Sequence, residues 1–211
     1  EEKATEELYD LVADPDQGHN LAASLDHRHV LDRLRSSLRR QLLATRDLGL
    51  LPEAEIHSRA EAAGATPYEY GHSAAYRLEE ILEVAELASD RARGSADDLS
   101  RLHAGLLDDD SAIRAWSALG FLVRGQRGVR AGGLKLREAL DDEAVAVRTH
   151  AAEALGRFGN EEERSRAVAS LLADSSLDKR GLFDVVLALN ALDAVGEMAK
   201  TQRAEIAALP L

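Results

Sequence analysis

The chain has 211 residues, enough for one or two domains with a sizeable buried core. Its formal charge of −12 argues against nucleic acid, whose phosphates need a surface rich in Lys and Arg, and against anionic membranes. The absence of cysteine removes disulfides, thiolate metal sites and cysteine nucleophiles together, and fixes no compartment.

Alanine and leucine dominate, proline and aromatic residues are scarce and 30% of residues are charged, which predicts an all-α fold. The chain opens Glu1-Glu2-Lys3 with neither a basic n-region nor an apolar h-region. No apolar run approaches the ~20 residues that span a bilayer.

In chain order, Glu7-Leu8-Tyr9-Asp10-Leu11 alternates apolar and acidic residues, which predicts a short strand. Asp14-Pro15-Asp16-Gln17-Gly18 reads as a turn, with Gly18 taking any positive φ. Asp26 reads as the N-cap of a helix from about His27 to Thr45, with the apolar stripe Val30, Leu31, Leu34, Leu38 and Leu42. Pro52 opens a second helix running to about Ala63, before Gly64.

Three of these pieces, in order, resemble the segment that closes the catalytic domain of sulfatases: Glu7 to Leu11, then Asp14-Pro15 with Asn20-Leu21-Ala22, then Thr45-Arg46-Asp47-Leu48-Gly49-Leu50-Leu51-Pro52-Glu53. The resemblance covers roughly residues 6–55 and implies a chain lying downstream of an active site. A sulfatase nucleophile, a formylglycine hydrate, is built from the first residue of C/S-x-P-x-R. Ala13, Leu50, Ala65 and Ala208 stand two residues before the prolines here, and none is Ser or Cys. The expectation is therefore a non-catalytic fragment with no catalytic, cofactor-binding or metal residues of its own. Calcium and formylglycine would belong to the missing catalytic domain. The resemblance also implies an exported parent, periplasmic or secreted, although the chain carries no address.

Near Pro67 the pattern changes, which predicts a boundary between residues 1–66 and 67–211. Leu107-Asp108-Asp109-Asp110-Ser111-Ala112-Ile113-Arg114 recurs as Asp141-Asp142-Glu143-Ala144-Val145-Ala146-Val147-Arg148 when slid by 34 residues. These residues resemble HEAT repeats, with Leu140 to Gly159 the best copy. That implies an α-α superhelix preceded by the strand, turn and two helices. A third unit from Ala167 to Gly196 keeps Lys179-Arg180 and the stripe Leu182, Val185, Val186, Leu189 and Leu192. Helices bearing Leu78, Ile81, Leu82, Ala85 and Ala88, and Ile206 with Leu209, would cap the ends. Trp116-Ser117-Ala118-Leu119-Gly120 also matches the opening of a tetratricopeptide repeat. Against that, Val123 stands where Tyr is expected, the other copies lack Trp and no Pro closes the unit.

One helix pair cannot bury its own stripes, so Trp116, Val147, Leu155 and Phe158 read as core between repeats. The acidic turns Asp108-Asp109-Asp110 and Asp141-Asp142 read as helix caps, with Arg114 and Arg148 laddered against acidic turns of neighbouring units. His27 and His29 at i and i+2 face different sides of a helix, so no metal pair is expected there. His19 reads as solvent-facing. His57, His72, His103 and His150 share no ligand spacing. Arg28, Arg33, Arg35, Arg39 and Arg40 form a solvated face that pairs with carboxylates, or an edge that steers an anionic substrate. Two functions stay open: a module that binds another protein or a second copy, giving a homo-oligomer, or an element packed on its own catalytic domain that shapes substrate access.

Overall fold

The computed structural model describes residues 4–196 together with 204 and 207. Among these residues there are ten α-helices, one short 3-10 turn and no strand, so the all-α expectation holds and the strand does not. Two compact units divide the chain, Glu1–Asp47 and Leu48–Leu211. The boundary expected near Pro67 falls inside the second.

In the first unit, a side chain does what a sheet ladder would have done for residues 7–11. Asn20 Oδ1 accepts the Leu8 N–H at 2.9 Å and the Ala22 N–H at 2.9 Å, and Asn20 Nδ2 donates to the Glu6 carbonyl at 2.9 Å. The Leu21 N–H closes the pair on the Leu8 carbonyl at 2.7 Å. One carboxamide, that of Asn20, and one backbone bond thus hold Glu6 and Leu8. The turn that follows is held by Asp14, whose carboxylate accepts from Gly18 and His19. Its positive φ, however, belongs to Gln17 (55°) and not to Gly18.

Helix α1 spans Arg28–Thr45. Asp26 does not cap it: His27 holds the N-cap position and no side chain bonds there. The chain is already turning at this point, with the His27 N–H on Ser24 O and the Arg28 N–H on Leu25 O, so Asp26 lacks the extended backbone a cap needs. Of the predicted stripe only Leu31 is buried, and Leu34 and Leu38 are exposed. Arg46 ends the helix in the left-handed region, its N–H on the Leu42 and Leu43 carbonyls.

The second unit begins with α2 (Glu53–Ala62), opened by Pro52 and closed at Gly64, φ +63°. There the Ala65 N–H reaches back to the Ala60 carbonyl at 2.9 Å. α3 (Pro67–Gly71) starts with Pro at its first position and a reciprocal cap between Thr66 and Glu69. Next come α4 (Leu78–Ser89), α5 (Ala96–Gly105), α6 (Ser111–Val123) and α7 (Gly125–Glu138), the last kinked at Gly133. After a 3-10 turn at Ala139–Asp141 follow α8 (Val145–Phe158), α9 (Glu161–Asp174) and α10 (Leu182–Val195). Reciprocal caps also open α5 (Ser95 with Asp98) and α9 (Asn160 with Glu163), and Asp110 caps α6.

Helices α4, α6, α8 and α10 each pack on the next, while α5, α7 and α9 lie against them. The stripe of α4 (Leu78, Ile81, Leu82, Ala85, Ala88) is buried throughout, as predicted. Phe121, Leu102, Leu136, Val147, Leu155, Val168 and Leu171 form the centre of the core. Small residues set the spacing. A Cβ on Gly128 would stand 1.9 Å from the Phe121 carbonyl oxygen, so α7 can approach α6 only without one. The α10 stripe is split: Val185 and Leu192 are buried, but Leu182 and Val186 are exposed. The predicted closing helix at Ile206 and Leu209 lies outside the described residues.

Candidate functional site

Three arginines in the second unit each fork onto one aspartate. Arg77, just before α4, donates to both carboxylate oxygens of Asp108 at 2.6 and 3.3 Å. Arg114 in α6 donates to Asp142 at 2.8 and 3.0 Å. Arg148 in α8 donates to Asp174 at 2.9 and 2.7 Å. Arg114 and Arg148 each turn a further nitrogen onto two carbonyls of their own acidic loop, Asp108 and Asp109 in one case and Asp142 and Glu143 in the other. The laddering predicted for this pair is present, and Asp142 also accepts the Ala144 N–H at 2.9 Å. Leu182 stands 34 residues after Arg148, and Arg180 donates to Asp174 at 2.8 Å beside the Arg148 fork.

A fourth arginine ties α2 to the start of α6. Arg59 donates to Asp110 at 2.7 and 3.1 Å, to Glu55 at 2.6 and 2.9 Å and to Ser111 Oγ at 2.8 Å. Burial works to raise the Asp110 carboxyl, but the bonds and charge of Arg59 outweigh it and hold it below the ordinary carboxylate range. Arg124 is different. Among the described residues its partners are all carbonyls: Leu87, Ala88, Asp90 and Arg93 around the end of α4, and Gly120 in α6. Two helix C-termini thus share one buried cation.

A cleft of about 330 Å³ lies between the start of α2 and helices α6, α8 and α10. Its lining is mostly apolar, with Trp116, Phe183, Leu50 and Leu187 prominent, and His150, Asp184 and Asn190 add polar atoms. The Trp116 indole N–H donates to the Leu50 carbonyl at 2.8 Å, which fixes the ring against the segment before α2. Burial pushes the His150 imidazole down to about 4, so it is neutral at pH 7. Burial also raises the Asp184 carboxyl, and the negative charge of Asp174 adds to this, against a smaller pull from Arg180 and Arg148. Phe183 stacks on His57 of α2, ring centres 6.0 Å apart.

Val147 and Leu155 are buried, as expected of residues between repeats. Trp116 and Phe158 are only half-buried: the first lines the cleft, and the second lies beside the Arg157 guanidinium at 5.1 Å. The arginines of α1 divide. Arg28 pairs with Asp32, and Arg35 pairs with Asp32 and Glu6, inside the first unit. His19 is solvent-facing, His72 bonds the Tyr68 carbonyl, and His103 bonds Ala131 O at 2.9 Å beneath Phe121. Among the described residues, no three His, Asp or Glu side chains stand together as metal ligands, and no helix is long and apolar enough to cross a membrane.

The cleft escaped sequence reasoning because its wall comes from three distant stretches, residues 49–54, 115–119 and 183–190, with His150 between. The one local signal was Trp116, the single tryptophan, with Leu119 three residues on. No protein-family model, curated protein or solved structure matches the chain.

Proposed function

We propose that this chain is a non-catalytic helical-repeat module of HEAT-like type, from the C-terminal region of a sulfatase, and that it serves interaction or assembly. The sulfatase part rests on the motifs of residues 6–55 alone. The repeat reading is supported by the recurrence of a fork at Arg77, Arg114 and Arg148: the first two join the start of one helix to the acidic loop before the next in the series, and the third joins α8 to the end of α9.

The observation that carries the interaction role is the outer face of α10. Leu182, Phe183 and Val186 are 61%, 47% and 46% exposed near the start of α10, and the last two line the cleft. Apolar side chains grouped on a rigid surface mark a site that another surface covers.

The test is Leu182→Glu with Val186→Glu in the full-length protein, followed by light scattering. Loss of oligomers or of a co-purifying partner supports the module. An unchanged monomer whose KM for a sulfate ester shifts supports the other role, a domain that shapes access to its own catalytic domain.

A further inference from the structure

We infer that the cleft receives the arginine or lysine side chain of a protein partner, with the cation between Asp184 and the faces of Trp116 and Phe183. This rests on the interaction role proposed above and names the chemistry of the partner.

The cleft holds negative charge and aromatic surface but no cation of its own. Among the described residues, Asp184 makes no ion pair, and Glu53 at the rim has only His57, at 3.8 Å. The nearby guanidinium groups of Arg148 and Arg180 are bound to Asp174 at 2.7 to 2.9 Å. His150, the remaining basic group of the lining, stays neutral at pH 7. Trp116 has its N–H committed to Leu50, so it offers the cleft only its ring. Indole is the strongest aromatic partner for a cation, and a carboxylate beside it adds direct charge attraction.

The extent of the apolar surface selects a protein over a free organic cation. On α10, Leu182, which is 61% exposed, lies beside Phe183 and Val186 of the cleft lining. A small organic cation would leave Leu182 uncovered, whereas apolar residues flanking an arginine would cover it together with the cleft.

Trp116 is the single tryptophan of the chain, so its emission reports the cleft directly. The intact 211-residue chain is titrated with acetyl-Leu-Arg-Leu-Leu-amide, with the same peptide carrying neutral citrulline, and with agmatine. The expected result is a saturable change in Trp116 emission with the arginine peptide, about tenfold weaker binding of the citrulline peptide, and weaker binding still of agmatine. Asp184→Asn should lower affinity for the arginine peptide about tenfold and leave the citrulline peptide unaffected. Asn190→Lys, at an exposed position, places an ammonium in the cleft and should block the arginine peptide without disturbing the core.

Equal binding of the two peptides, or indifference to both substitutions, overturns the cation site while the interaction role stands. Agmatine binding as tightly as the peptide overturns the protein partner in favour of a small cation. No emission change and no heat of binding with either peptide at millimolar concentration removes the cation site, and the α10 variants then decide the interaction role separately.

Discussion

Asp174 accepts from Arg148 on both carboxylate oxygens, at 2.9 and 2.7 Å, and from Arg180 at 2.8 Å. This buried carboxylate at the end of α9 joins α8 to the loop before α10. Replacing Asp174 with Asn strands two guanidinium groups, one of them well buried. We expect a loss of about 3 kcal/mol, because breaking a buried pair leaves an uncompensated charge. Arg166→Ala, which breaks an exposed pair with Asp141, should cost less than about 0.5 kcal/mol. Urea unfolding of both variants gives the comparison, and equal losses would contradict it.

Close approach of α7 to α6 makes a second prediction. Gly128→Ala puts a methyl group 1.9 Å from a backbone oxygen, which only backbone movement can relieve, at a cost of about 2 to 3 kcal/mol. Gly181→Ala meets nothing within 4 Å and has ordinary backbone angles, so it should change stability by less than about 0.5 kcal/mol. Thermal melts of the two variants side by side test the contrast.

His150 sets an acid limit. Its value in the folded chain, about 4, lies below the 6.5 of the unfolded chain, so the unfolded chain takes up the proton first as pH falls. Stability from this source is complete above about pH 6.5 and is lost progressively toward pH 4. The full shift corresponds to roughly 3 kcal/mol. Partial exposure of the ring at the cleft wall reduces this to about 2 kcal/mol. His150→Gln should flatten the dependence of stability on pH between 4 and 6.5. An unchanged slope would show that other groups carry it.

Asn20 predicts a local effect. Asn20→Ala removes the acceptor of the Leu8 and Ala22 N–H groups. Hydrogen exchange at these amides should quicken about tenfold, corresponding to a hydrogen bond worth about 1.4 kcal/mol. The Leu21 amide, which bonds the Leu8 carbonyl, should follow, while amides of α1 beyond its first turn keep their rates.

Features written into one local stretch were legible before the structure. The 34-residue spacing of Arg114 and Arg148 pointed to their shared fork, and the α4 stripe pointed to its buried face. Features that depend on what lies opposite were not. Leu34 and Leu38 fit the helical period, but the first unit brings nothing to cover them. Residues 7–11 alternate like a strand, but Asn20, a residue type that says little about sheets, provides their partner. Arg180, in the loop before α10, adds a bond to the aspartate that Arg148 already holds, which a fixed period does not reveal. Trp116 reads as core between repeats because one helix pair cannot bury its own stripes, but it is cleft wall, its indole N–H on the Leu50 carbonyl 66 residues away.

Arg124 gives the seam between α4 and α6 a different response to acid. The forks depend on carboxylates, which protons neutralise, whereas Arg124 is held by amide carbonyls that do not titrate in that range. Acidification should therefore dismantle this molecule in a set sequence, from the carboxylate clasps at its helix starts inward. Its last surviving remnant would be the pair of α4 and α6, riveted at one end by a single guanidinium group.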